Sequence, residues 1–216
     1  MGTKIKMVSI WLSALLLTAG IAVQAHAGPK QSPDSFITAF GDQAIKLLSN
    51  NSGDAAARSL GLRRLLVKNF DVDFISRTVL ARHWRRASVA ERAEFRRLFE
   101  DYIVTVYGRR LGNYSGEEFQ IEHIARKGDD QAYISSKIVR PDGPPVKVAW
   151  RLRGRDGQWR IVDIIVEGVS MALTQRSEFG AVIRKQGGKI SGLNAKLREL
   201  AGDRDKVENK VAAKAS

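Results

Sequence analysis

Few residues of this 216-residue chain have the type and spacing that covalent or acid–base chemistry needs. Three histidines are present. His26 lies in an N-terminal segment treated below, and His83 and His123 are forty residues apart with no carboxylate at metal-ligand spacing, so both are read as structural or surface residues. The complete lack of cysteine removes thiolate nucleophiles, thiolate metal sites and disulfides. Asp71 and Asp73 look like an acid–base couple, but residues two apart on a helix do not face each other, and capping of the helix at Phe74 is the expected role. Ser170 follows Glu167-Gly168-Val169, which is not a nucleophile elbow, and an N-cap is expected there. Asp163 is the only acid closely flanked by apolar strand residues; it is either a carboxylate inside an apolar site or a group aimed at a helix N-terminus. No Gly-rich phosphate loop follows a strand. The expectation is no catalytic residue, no metal and no cofactor.

Charge is the next resource. Arg77, Arg82, Arg85, Arg86, Arg92, Arg96 and Arg97 crowd one stretch with only Glu91 and Glu94 against them, in a chain of net charge +13. Such a field suits an anionic partner. A solvated helix face and docking to an acidic protein or anionic membrane are the two readings kept, with Arg82, Arg85, Arg86, Arg96 and Arg97 as docking candidates and Lys147, Arg151 and Arg153 as a second basic set. Nucleic acid is set aside, because no nucleic-acid motif is present and the N-terminus reads as an export signal. Lys4 and Lys6 precede an apolar stretch from Met7 to Val23, and Ala25-His26-Ala27 fits a signal-peptidase site. Residues 1–27 are therefore expected to be a cleaved signal, 28–201 a single domain, and 202–216 a disordered tail rich in Lys, Asp and Ala.

The elements that would position these residues follow from periodicity. Helical spacing runs through Phe36, Ile37, Phe40, Ala44, Leu47 and Leu48, again through Leu60 to Leu66, and again through Ile75, Val79 and Leu80. Ser88-Val89-Ala90-Glu91 is a capping box opening a helix whose stripe is Phe95, Leu98, Phe99, Tyr102, Ile103, Val106 and Tyr107. After Gly108 the period falls to two, and four strands are expected: around Phe119 to His123, Ala132 to Ile138, Val146 to Arg153, and Trp159 to Glu167. The last is almost continuously apolar, as in a central strand covered on both faces. Gly168 is expected to end the sheet, and Ser170 to Gln186 and Ser191 to Leu200 return to helical spacing. The fold class is thus α+β: a curved antiparallel four-stranded sheet wrapped by helices. Whether its apolar face packs solid or encloses a cavity is open at the level of pattern.

Several separated motifs carry a resemblance. Val79-Leu80-Ala81-Arg82-His83-Trp84-Arg85-Arg86-Ala87-Ser88, Tyr107-Gly108, Pro144-Pro145-Val146, Gly157-Gln158-Trp159-Arg160, Glu167-Gly168-Val169-Ser170-Met171 and Gln175-Arg176-Ser177-Glu178-Phe179 together resemble the MlaC family, also called the toluene-tolerance auxiliary family. The resemblance implies an NTF2-like lipid-binding domain whose pocket takes phospholipid acyl chains while the head group stays near the surface. It also implies a periplasmic carrier, without enzyme activity, that serves maintenance of outer-membrane lipid asymmetry as the auxiliary component of an ABC transporter. Its partners would be an outer-membrane lipoprotein–porin complex and an inner-membrane ABC transporter complex with a substrate-binding ring, with transient membrane-surface contact. Pocket residues inferred from position are Val104, Tyr107, Ile134, Ile138, Val148, Trp150, Leu152, Ile164 and Val166. The rival ligand is a hopanoid or other polycyclic lipid; the rival classes are an NTF2-like enzyme and an adaptor without ligand.

Overall fold

Side-chain oxygens that accept backbone N–H groups fix where most helices begin. The computed structural model describes residues 31–50, 54–110 and 115–200; the expected signal and tail lie outside them. Helix α1 (Pro33–Asn50) is followed by α2 (Ala55–Asn69), capped by Asp54, and α3 (Val72–Leu80), capped by Asp71, whose Oδ1 accepts from Phe74 N at 3.0 Å. The short α4 (Arg82–Arg86) leads to α5 (Val89–Arg110), where Ser88 Oγ accepts from Glu91 N and Glu91 Oε2 accepts from Ser88 N, the expected reciprocal box. Ser88 also holds the Glu91 carboxyl below its usual pKa.

Strands β1 (Glu118–Lys127), β2 (Gln131–Val139), β3 (Val146–Arg155) and β4 (Gln158–Val166) form the antiparallel meander. One extra residue in β1 between Ile121 and His123, and one in β4 opposite Arg151 and Leu152, interrupt the ladders and bend the sheet. The first turns His123 outward, so the expected alternation of Phe119, Ile121 and His123 stops at Ile121. Asp156 and Gly157 both take positive φ in the two-residue turn from β3 to β4.

The sheet has five strands rather than the expected four. Glu167 and Gly168, at φ 48° and 81°, make a second turn of the same kind, and β5 (Val169–Ser170) pairs back on β4. Glu167 N donates to Lys147 O, and its carboxylate accepts from Lys147 N at 2.7 Å, which holds an acid where Asn or Asp would be the usual choice. Strand β4 is consequently an interior strand, as its apolar run leads one to expect: β3 pairs along one side, and Val169–Ser170 and the Phe70–Asp71 segment, with Asp71 N donating to Ile161 O, cover the other. Ser170 then caps α6 (Met171–Lys185), and a last helix, α7, occupies residues 190–200.

Asp163 joins sheet to helix. Its Oδ1 accepts from Ala172 N at 3.0 Å, its Oδ2 accepts from Ser170 Oγ at 2.6 Å, and Ser170 Oγ accepts from Leu173 N. The helix-N-terminus reading of Asp163 is the one the geometry supports. Asp163→Ala leaves a buried N–H and the cap without their acceptor and is expected to lower stability by about 2–3 kcal/mol, against about 1 kcal/mol for Ser170→Ala. Urea denaturation checks this, and an unchanged midpoint for Asp163→Ala would contradict it.

His83 supplies a pH-dependent contribution. Burial first, then the charges of Arg82, Arg86 and Arg184, hold its imidazole below the usual pKa, and its Nδ1 is buried with no hydrogen-bond partner among the described residues. Because the folded state favours the neutral ring, this contribution is complete above the ordinary histidine range and is lost as pH falls below about 6.5. His83→Leu is expected to flatten the decline in urea midpoint between about pH 7.5 and about pH 5.5 relative to the parent chain; parallel declines would count against it.

Candidate functional site

Most of the buried apolar residues fall into two groups. One joins α3, α5, α6 and α7 through Val79, Phe95, Leu98, Phe99, Phe179, Ile183, Leu193 and Leu197. The other joins α1 to the sheet through Phe36, Ile37, Ile134, Trp150, Leu152, Trp159 and Ile161. Between them lies a cavity of about 600 Å³ whose wall includes members of both groups, Val79, Phe99 and Ala172 from the first and Val148 and Trp150 from the second.

The sheet supplies one wall of this cavity through Phe119, Ile138, Val146, Val148, Trp150, Val162, Ile164 and Val166. Trp150 is the best-fixed of these. Its Nε1 donates to the buried Ser136 Oγ at 2.9 Å, which donates in turn to Val148 O, so the indole carries no unpaired polar atom into the apolar space. The Phe40 and Phe119 rings meet Trp150 edge-on at 5.4 and 6.0 Å. The opposite wall is helical: Ala44 and Ile45 of α1, Leu62, Leu65 and Leu66 of α2, Val72 and Ile75 of α3, and Ile103, Val104 and Tyr107 of α5. Gly61 lets α2 cross α1 closely, since a Cβ there would lie 2.1 Å from Leu47 Cδ1.

Of the nine residues expected at a pocket, seven line this cavity: Val104, Tyr107, Ile138, Val148, Trp150, Ile164 and Val166. Ile134 and Leu152 do not. They are 0% and 2% exposed and pack solidly with the α1 group, because that end of the sheet is covered directly by Phe36 and Ile37. Sequence reasoning missed the contributions of α1, α2 and α3. Their helical spacing was visible, but spacing marks an inward face without saying whether that face meets side chains or empty space.

The five arginines expected to dock partners divide. Arg96 pairs with Asp73, and Arg97 reaches Asp101 at 3.6 Å, so both are engaged within the chain. Arg82, Arg85 and Arg86 are exposed on α4, and their side chains form no ion pair among the described residues. Arg92, outside the expected set, donates to Trp84 O and stacks over the Trp84 ring at 5.3 Å.

Polar groups on the cavity wall are few: Glu117, Glu118, Arg140, Asp163 and Gln175. Asp163 is 5% exposed with both oxygens accepting hydrogen bonds, so no lone carboxylate faces the apolar space there as a base would. The arrangement suits an apolar ligand, each buried methylene of which gains roughly 0.8 kcal/mol.

A family model described as MlaC protein matches residues 39–199. The chain is 27% identical over 144 residues to the intermembrane phospholipid transport system binding protein MlaC of Haemophilus influenzae, covering 65% of this chain and 66% of that protein. It is 22% identical over 130 residues to the toluene tolerance protein ttg2D of Pseudomonas putida, covering 60% of each. It thus spans less than two thirds of either relative's own length. The fold superposes with a TM-score of 0.71, at 18% identity, on a phospholipid-binding protein from Ralstonia solanacearum solved in complex with a phospholipid, covering 80% of this chain and 98% of that one. With a family match spanning well over half of its length, the chain belongs to the MlaC family.

Proposed function

We propose that this chain is a periplasmic carrier of phospholipid that performs no catalysis. It holds acyl chains in the cavity and moves the lipid between an outer-membrane lipoprotein–porin complex and an inner-membrane ABC transporter complex with its substrate-binding ring, in the service of outer-membrane lipid asymmetry. The observation that carries this reading is the apolar space of about 600 Å³ between two separately packed groups of side chains. That volume is within the range of small-molecule sites, and its wall is apolar almost throughout. The phospholipid-transport role for which the Haemophilus relative is named and the lipid bound in the Ralstonia neighbour support the same reading. Among the described residues no helix is long and apolar enough to cross a membrane. Periplasmic placement rests on residues 1–27 acting as an export signal.

Physical chemistry says why a carrier is needed. Two acyl chains hold on the order of 30 methylenes, whose exposure to water costs about 24 kcal/mol. Free diffusion across an aqueous gap is therefore negligible, and handover must occur while the carrier is docked. Helix α2 is the wall best suited to move. It presents Leu62, Leu65 and Leu66 to the cavity, and of these only Leu66 is fully buried. Arg82, Arg85 and Arg86 supply an uncompensated cationic surface for steering toward an acidic partner.

Native mass spectrometry of the periplasmically expressed protein is expected to show a diacyl lipid at near one-to-one. Empty protein would favour an adaptor, and a polycyclic lipid would favour the rival ligand. Val166→Glu, which places a charge on the cavity wall without touching the solid packing around Ile134, is expected to abolish that lipid while far-UV circular dichroism stays native; retained lipid would mean the acyl chains lie elsewhere. Lipid transfer to the membrane complexes is expected to slow at least several-fold between about 50 and about 300 mM salt, and replacing Arg82, Arg85 and Arg86 together by Gln is expected to remove the salt dependence. Transfer indifferent to salt would exclude steering by these residues.

A further inference from the structure

Helix α2 has two different faces. Leu62, Leu65 and Leu66 line the cavity. Leu60, Arg64, Val67 and Lys68, spaced as one side of a helix, lie on the opposite side, and all four are exposed. Leu60 and Val67 are 57% and 55% exposed, among the highest values for bulky apolar residues described. A lone exposed leucine is ordinary, but two aliphatic side chains seven residues apart with a cation between them and another beside them make a mixed stripe. The helix carries four cations and no acid.

The charge continues onto α1. A shallow groove between the two helices is lined in part by Gln43 and Lys46 of α1 and by Gly61, Arg64, Leu65 and Lys68 of α2, and none of the described residues that line it is acidic. Lys46 and Arg64 are exposed and form no ion pair among the described residues. Lys68 Nζ makes only a long bond, 3.4 Å, to Gln43 Oε1. Arg63, by contrast, is engaged with α5, its Nη2 lying 2.5 Å from Asp101 Oδ1, so it anchors the helix and leaves Lys46, Arg64 and Lys68 as the outward charge. Asp42, the neighbouring acid of α1, does not line the groove and forms no ion pair with Lys46 among the described residues. The connecting residues Asn51-Ser52-Gly53 bring no charge.

An acidic protein would have to place carboxylates in register with these cations and cover the aliphatic chains as well. A bilayer meets both needs without register, with anionic head groups for the cations and interfacial hydrocarbon for Leu60 and Val67. We propose that the outer face of α2, together with Lys46 of α1, is the surface by which this chain lies on an anionic phospholipid bilayer, with Leu60 and Val67 entering the head-group region and Lys46, Arg64 and Lys68 pairing with lipid phosphates. The contact itself stands on charge and exposure; its use in loading rests on the carrier reading above. In the docked chain α2 is the layer between bilayer and cavity, since its other face lines that cavity. Helix α4, whose arginines are assigned above to steering toward a protein, contributes no residue to the cavity wall.

Co-sedimentation of the protein purified from the periplasm with vesicles of phosphatidylcholine, alone or with about one third phosphatidylglycerol, tests this. The parent chain is expected to bind the anionic vesicles far more tightly than the neutral ones. Each Lys or Arg close to an anionic surface strengthens binding roughly five-fold, so replacing Lys46, Arg64 and Lys68 together by Gln is expected to weaken it on the order of 100-fold. Leu60→Ser combined with Val67→Ser is expected to weaken binding several-fold at high salt, where the cations are screened. All five side chains are exposed, so the urea midpoints are expected to stay close to that of the parent. Equal binding to both kinds of vesicle, or a triple variant that binds like the parent, overturns the proposal. A larger loss on replacing Arg82, Arg85 and Arg86 together by Gln also overturns it and moves the contact to α4. A triple variant that keeps vesicle binding but loses transfer to the membrane complexes assigns the face to an acidic protein instead. Native mass spectrometry separates the two readings: protein that carries lipid but ignores anionic vesicles keeps the carrier reading and loses this one, and empty protein that binds those vesicles through Lys46, Arg64 and Lys68 does the reverse.

Discussion

The structure depends on two apolar surfaces that meet at their margins and are held apart across their middle. The bent sheet and the helical layer each expose a hydrophobic face, and those faces would ordinarily interlock at close-packed density. Here the layers are joined at the margins. Asp163 binds the start of α6, Asp71 caps α3 while accepting from Arg155 Nη1 at 3.0 Å, and Phe36 and Ile37 of α1 press on the far end of the sheet. The middle, under α2 and the end of α5, stays open. Left unfilled, that apolar wall faces water or empty space, and either lowers stability. Under the proposed function, a ligand filling that space would act as part of the core and tie the stability of the protein to its loading.

Such coupling would make the proposed carrying and releasing compatible. Acyl chains bound there would replace missing side-chain contacts, so the affinity would reflect both the lipid's escape from water and the protein's relief of its own unfilled space. A partner that draws α2 away from the sheet would weaken both contributions together. The polar elements lie around this process and take no part in it: Ser136 pairs the Trp150 indole N–H, and the two-residue turn at Glu167 and Gly168 finishes the sheet beside the cavity.

Much of this organisation is legible in the amino-acid sequence, for reasons that differ by element. Caps at Asp71, Ser88 and Ser170 are local chemistry between residues three apart, so sequence spacing is enough to find them. The fifth strand is not legible because Glu-Gly is an unusual pair for a turn with two positive φ values, and the bonds of Glu167 to Lys147 are long-range. The cavity wall was partly found, because alternate residues of β3 and β4 must share a face. Ile134 and Leu152 were misplaced because residues on one face of a sheet can lie under a helix at one end and under empty space at the other. Arg96 and Arg97 look identical to Arg85 and Arg86 in a charge run, and only the fold shows that Asp73 and Asp101 engage the first two.

Acyl chains in the gap between sheet and helices would lie against Trp150 on the cavity wall, whose emission reports them directly. With Trp84 and Trp159 replaced by Phe, the folded domain keeps Trp150 as its fluorophore, and loading with phospholipid brominated along the acyl chains places a heavy-atom quencher against the ring. Strong quenching relative to the same lipid without bromine is expected if the chains lie in the gap. Stoichiometric loading that leaves Trp150 emission unchanged would contradict it.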